Sequence, residues 1–284
     1  MIQLFEVCES GPQALKIPAS VKRFEDLYQD LELGVYTALR TFEGYKFLAL
    51  DHHLQRTSDS ITGMKWDYAF NPELIRKSLD QICRQDPGDK RIRIDVLAGP
   101  AEIYNSSERI LIACMPFTPP DERLYRQGAY CSTCSQIERH NPKLKTAEFS
   151  LRRQAYVSRD ANIHEQLLLD GENSILEGFS SNFYALHQGK LFTAADGVLE
   201  GTIRRIVLEL ATQADLTVVY SGTPVSALNK ISEAAISSSS RGLMPVVNID
   251  GQPIGDGQPG PIIQSLMRDF SKALSSRVKP AGEY

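Results

Sequence analysis

A chain of 284 residues can bury a sizeable core, and its length favours two domains over one. Its 42% apolar and 23% charged content is that of an ordinary globular protein, and a net charge of −4 gives no reason to expect nucleic acid or an anionic membrane as partner. No apolar run nears the roughly 20 residues a membrane span needs, and the first residues lack the basic and long apolar regions of a secretory signal. Five cysteines, an odd number, suit a reducing cytoplasm better than a disulfide framework.

The first part of the chain reads as strands alternating with helices. Val35–Phe42 has strand character, Glu43-Gly44 makes a turn, and Lys46–Leu50 is expected to return as its hairpin partner. Asp51 is placed to cap a helix running to about Thr62, with Leu54 and Ile61 on its apolar face. A second helix opens at Asn71-Pro72, an N-cap followed by proline at the first helical position, and carries the stripe Leu74, Ile75, Leu79 and Ile82. Arg91–Ala98 alternates strictly, with Arg91, Arg93 and Asp95 on one face and Ile92, Ile94 and Val96 on the other. A charged sheet face of this kind is ordinarily solvated. After a further strand, Arg109–Cys114, the segment Met115–Glu122 holds three prolines in eight residues and is the best domain boundary. The expected organisation is an N-terminal domain over 1–114, a linker over 115–122 and a C-terminal domain over 123–284.

Gly128–Ser135 reads as a strand. Its Cys131 and Cys134 lie three apart, hence on opposite faces, and no second ligand pair accompanies them, so no metal site is expected. A helix is expected from about Thr146 to Asp160. Asp170-Gly-Glu-Asn173 and Gln188-Gly189 are hairpin turns between strand-like runs. Thr202–Ala211 is a helix entered through Gly201, followed by a strand around Val218 and the serine run Ser237–Ser240. Pro245–Ile249 turns at Asp250-Gly251, and the last helix spans roughly Pro261 to Leu274.

The chemistry concentrates between Asn141 and Asn182. A lysine amine just before a helix can attach to an aldehyde, and a carboxylate on a tight glycine turn can keep a pyridine nitrogen protonated. Lys143 and Lys145 both qualify as the lysine, and periodicity does not choose between them. Standing alone, such a lysine and Glu177 would be read as surface charges.

The pattern Lys145-x-x-Glu, with Glu177-Gly-x-Ser-Ser-Asn182 at a separation of 177 − 145 = 32 residues, resembles the class IV aminotransferases. These are the fold-type IV pyridoxal 5′-phosphate enzymes: branched-chain aminotransferases, D-amino-acid aminotransferases and aminodeoxychorismate lyase. The likeness runs from about Val35 to about Leu266. It implies a two-domain α/β fold with the cofactor in the interdomain cleft, a cytoplasmic homodimer, and ping-pong transfer of an amino group between amino acids and 2-oxo acids. Spacing to Glu177 then selects Lys145 as the catalytic lysine and Glu177 as partner of the ring nitrogen. For the cofactor, the resemblance implies Arg56 (in His53-Leu-Gln-Arg56), Ser181, Asn182, Gly201, Thr202, Ile203, Ser238 and Ser239. For the substrate it implies Tyr36, Arg40, Arg93, Ser239 and Ser240, with Arg93 available to an acidic side chain. Thr37 departs from the family's common Glu, Glu148 from its Asn, and Arg91 from the Tyr of branched-chain enzymes. Asp250–Pro261 looks like the branched-chain group and Glu177–Asn182 more like the D-amino-acid and lyase groups. Branched-chain-type transamination is the expectation. A D-amino-acid aminotransferase and a PLP lyase are the alternatives, with a non-catalytic binding protein on the same scaffold as the remote one.

Overall fold

The computed structural model describes residues 1–284. The chain divides into two compact units: Met1–Thr118 with Leu144–Ser150 and Arg277–Tyr284, and Pro119–Lys143 with Leu151–Ser276. Two segments that the sequence assigns to the C-terminal domain thus pack with the first unit. The reason is backbone pairing. Residues 145–147 add to the edge of a first-unit strand, and β17 (Val278–Pro280) pairs with β4 (Lys46–Leu48). Met115 and Pro116 belong to a strand and not to a linker.

The first unit holds β1 (Gln3–Cys8), β2 (Gly11–Ala14), β3 (Val35–Arg40), β4, α1 (Leu50–Gly63), α2 (Pro72–Gln85), β5 (Lys90–Val96) and β6 (Ile110–Pro116). Five strands form an antiparallel sheet in the order β2-β1-β6-β5-β3. The alternation of β5 sends Ile92, Ile94 and Val96 into a core shared with Leu50, Leu54 and Ile61 of α1 and Ile75, Leu79 and Ile82 of α2. Asn71 caps α2, its side chain accepting from the Glu73 and Leu74 N–H groups. Asp51 does not cap α1. Ala49, in the left-handed region at φ 51°, occupies that position, and the Asp51 carboxylate turns to Arg76 on α2 instead. Nor does β4 pair along β3; the bridge Phe42↔Lys46 lies beyond the end of β3. Both edges of β3 are taken, one by β5 and the other by residues 145–147.

The second unit contains α3 (Glu122–Gln127), β7 (Ala129–Cys134), most of its sheet from β8 (Ile163–Leu169) through β9 (Ser174–Gly178), β10 (Asn182–His187) and β11 (Lys190–Thr193), then α5 (Thr202–Gln213), β12 (Thr217–Tyr220), β13 (Thr223–Pro224), β14 (Glu233–Ser238), β15 (Gly242–Ile249), β16 (Gln252–Pro253) and α6 (Pro261–Arg277). The strands β10-β14-β15-β7-β8-β9 follow one another in one ten-stranded sheet, and β9 pairs back onto β10. That closure is the single pair Asn182↔Glu177. Leu167, Ile175, Phe183, Ile236 and Val246 fill its core. The two predicted hairpins are present. Asp170 accepts from the Glu172 and Ser174 N–H groups, and Gln188 and Gly189 both adopt positive φ, as a two-residue turn demands.

The helix expected over 146–160 is shorter. It comprises α4 (Ala147–Arg152) and a single 3-10 turn, Arg153–Tyr156. Phe149 and Ser150 are buried, but Leu151, Tyr156 and Val157 are exposed, so no apolar face sustains a longer helix. No helix is long and apolar enough to cross a membrane.

Candidate active site

In the first unit, Lys145 is stationed by backbone pairing. The Tyr36 N–H donates to Lys145 O at 2.9 Å, Ala147 N–H donates to Gly34 O at 2.8 Å, and the Lys145 N–H donates to Ser60 Oγ at 3.3 Å. Its half-buried side chain places Nζ 4.8 Å from the centre of the Tyr36 ring. Lys143 is exposed and lies outside this pairing. On the same face of α1, Arg56 Nη2 donates to Thr37 Oγ1 at 3.2 Å, and that hydroxyl meets His53 Nδ1 at 2.8 Å. Burial, then the nearby Arg56, His52 and Lys145 charges, push the His53 pKa well below its ordinary value. His53 is therefore neutral at pH 7, and the Thr37 hydroxyl bridges Arg56 and His53 Nδ1.

The charged face of β5 is not solvated as a whole. Arg91 is exposed, but Arg93 and Asp95 are 9% and 1% exposed and form a two-pronged pair, with Nη2 to Oδ1 at 2.6 Å and Nε to Oδ2 at 2.9 Å. The Arg93 guanidinium is stacked between Tyr28 and Tyr36, 3.8 and 4.1 Å from their ring centres. Arg93 therefore stands in a row with Tyr36 and Lys145, its charge already answered by Asp95. Burial opposes the Arg93 charge, but Asp95 together with Tyr28 and Tyr36 more than offsets it and keeps the guanidinium protonated. Arg40 lies at the other end of β3. Its guanidinium sits between the Phe42 and Phe117 rings at 4.1 and 4.0 Å, with Asp89 at 4.0 Å.

In the second unit, Glu177 is the penultimate residue of β9 and is 2% exposed. One carboxylate oxygen accepts from Arg139 Nε at 2.8 Å. The other accepts from the Leu199 N–H at 3.0 Å and from Asn182 Nδ2 at 3.3 Å. A cation and two donors all favour the ionised carboxylate. Asn182 also donates to Leu199 O at 2.8 Å. Gly201, which opens α5, backs onto the same amide so closely that a Cβ there would fall 2.0 Å from Asn182 Oδ1. Thus Glu177, Asn182 and the start of α5 at Gly201, Thr202 and Ile203 form one connected cluster. The first-turn N–H groups of a helix have no intrahelical acceptor and meet the positive end of its dipole. Ser237 joins the cluster through its register with Asn182 and its hydroxyl contact with Tyr184 at 2.8 Å. Ser238, Ser239 and Ser240 lie at the β14–β15 turn, where the Ser238 and Ser240 hydroxyls are 3.4 Å apart. Ser181, in the β9–β10 turn, donates to Glu165 Oε2 at 3.0 Å.

Sequence reasoning missed Arg139 and Asp95. Each touches a residue it had singled out. Asp95 was readable as a same-face neighbour two residues from Arg93, whereas no local pattern ties Arg139 to Glu177 across 38 residues. No cluster of His, Cys, Asp and Glu is placed to hold a metal ion.

This fold, a closed sheet whose seam is a buried glutamate, belongs with the fold-type IV enzymes. The family described as amino-transferase class IV matches residues 34–249, and the chain belongs to that family. A D-alanine aminotransferase of Staphylococcus haemolyticus is 26% identical over 257 residues, covering 86% of this chain and 89% of that protein. Branched-chain-amino-acid aminotransferase-like protein 1 of Arabidopsis thaliana is 24% identical and covers 94% of this chain, which spans 50% of that protein. Among solved structures, a T.th. branched-chain amino acid aminotransferase with pyridoxamine 5′-phosphate shares the fold at a TM-score of 0.77 and 19% identity, with 98% of each chain covered. That of Escherichia coli gives 0.77 at 17% identity, again over 98% of each chain. The protein is an aminotransferase.

Proposed function

We propose that the chain uses pyridoxal 5′-phosphate to move an amino group between an amino acid and a 2-oxo acid in two half-reactions, with branched-chain-type substrates. The observation that carries this reading is the 2%-exposed Glu177 held by Arg139, in a chain whose Lys145 is fixed by pairing to β3. The donor set fits the cofactor. It offers a buried carboxylate for a ring nitrogen, a helix start and serine turn for a phosphate, and a lysine amine for an aldehyde. The cofactor, when bound, supplies the electron sink. Lys145 would carry it and then move the proton at substrate Cα, while Glu177 keeps the ring nitrogen protonated. Arg56, the α5 start and the Ser238 and Ser239 groups would hold the phosphate. Tyr36 and Ser240 are assigned to the substrate. The two-pronged Arg93–Asp95 pair favours a substrate side chain without a carboxylate at that position.

A second reading, transfer from D-alanine, is supported by the D-alanine aminotransferases of Staphylococcus among the relatives. As in the family resemblance, we take the active form to be a cytoplasmic homodimer. The test adds L-leucine or D-alanine alone to the cofactor-loaded protein and follows the cofactor absorbance. Conversion to pyridoxamine phosphate by L-leucine supports the first reading and by D-alanine the second. No conversion by any amino acid of a full panel would refute amino transfer.

A further inference from the structure

The β14–β15 turn and the β9–β10 turn are distant in sequence but share one ion-paired cluster. Arg241 is the last residue of the turn that follows Ser238, and its N–H closes it by donating to Ser238 O at 3.2 Å. Its Nη1 reaches Glu165 Oε2 on β8 at 2.8 Å, and its Nη2 donates to Ser180 Oγ. The same Glu165 oxygen accepts from Ser180 at 2.7 Å and from Ser181 at 3.0 Å. Ser180 and Ser181 belong to the turn that links Glu177 to Asn182. That turn is further gripped by Arg153, which donates to Phe179 O. Gly178 has no room for a side chain here, since a Cβ would lie 2.2 Å from Ser181 Oγ and 2.8 Å from Glu165 Cγ. The Arg241 backbone is held in turn, its carbonyl accepting from Tyr125 OH at 2.6 Å. Glu165 is 5% exposed and would be a costly uncompensated charge without Arg241.

We propose that Arg241 is a positioning residue that ties the Ser238–Ser240 turn to the Glu177–Asn182 turn through Glu165, and so sets the affinity for the phosphate of the cofactor. This rests on the cofactor reading above. The β14–β15 ladder holds this turn only as far as Ser238↔Gly242, and donors recognise a phosphate tightly only when their geometry is fixed in advance. Arg241 touches no atom assigned to the cofactor. It acts through the backbone of its own turn.

The test titrates apoprotein with pyridoxal phosphate and, separately, with pyridoxal, which lacks the phosphate. Wild type is compared with Arg241→Ala, Arg241→Lys and Ser180→Ala. Arg241→Ala is expected to weaken pyridoxal phosphate binding about ten- to hundredfold, with pyridoxal affected less than about threefold, and Arg241→Lys to recover part of the loss. If Arg241→Ala does not fold, Arg241→Lys and Ser180→Ala carry the same comparison with smaller losses. Unchanged phosphate-ligand affinity, or equal losses for both ligands, would overturn the proposal. Wild type that binds pyridoxal but not its phosphate would also overturn it, and wild type that binds neither would instead overturn the cofactor reading on which it rests.

Discussion

Arg93 and Asp95 form a pair whose members depend on each other, because each is buried where an unanswered charge is expensive. Arg93→Ala should therefore destabilise the protein by about 3–5 kcal/mol, and Arg93→Met combined with Asp95→Leu should recover most of that. Urea unfolding measures both. The pH dependence has a definite sign. Burial raises the Asp95 pKa above its unfolded value even with Arg93 beside it, so the folded state holds the extra proton, and stability falls as pH rises through that window. Without Arg93 the window widens upward and the fall should extend to higher pH. Leucine and glutamate should lose specificity constant together in Arg93→Ala. A selective loss of glutamate would return Arg93 to the substrate. At Glu177, replacement by Gln removes the charge while keeping the shape. Cofactor binding should persist, while the half-reaction slows about ten- to hundredfold, in line with about 1.5–3 kcal/mol for a charge-assisted bond. Stopped-flow absorbance reads that rate. An unchanged rate would mean that Glu177 serves the sheet seam alone.

At the scale of elements, the position of Lys145 depends on the edge of β3. Ala147→Pro removes the N–H that donates to Gly34 O, yet proline is tolerated at the first position of α4. The expected outcome is a loss of about 1 kcal/mol and faster amide exchange at Tyr36, with the far-ultraviolet spectrum unchanged. The β8 strand carries a second testable element. Burial raises the Glu165 pKa, but Arg241, the Ser180 hydroxyl and Arg153 together bring it below 4.5. Its folded pKa is thus below the unfolded one, so its stabilisation is complete above about pH 4.5 and lost as pH falls further. Unfolding in urea across that range should show the acid loss in wild type and a smaller one in Glu165→Gln. Turn chemistry explains which elements were legible in the sequence. Asp170–Asn173, Gln188-Gly189 and Asn71-Pro72 announce themselves by residues whose local geometry is nearly fixed. The β4 partner and the length of α4 were not legible, because both depend on which edge is already occupied and which face finds a core.

Across the whole molecule, the family and the fold class were readable because Lys145, Glu177 and the serine run keep their order and spacing over most of the chain. The division into units was readable only roughly. Residues 144–150 and 277–284 change unit through strand pairing that no local pattern reports. For the candidate site the sequence offers expected residues without their contacts. Arg139 on Glu177 and Arg241 on Glu165 are long-range pairings, and Asp95 on Arg93 is a same-strand pair whose burial no local pattern reports. The central claim, that Lys145 carries the cofactor, is tested most directly by borohydride reduction of the loaded protein and peptide mapping. Borohydride fixes whichever lysine is joined to the pyridoxal carbon. The label should fall on Lys145 and vanish in Lys145→Ala while persisting in Lys143→Ala. A label on Lys143, or one that survives in Lys145→Ala, would contradict the account.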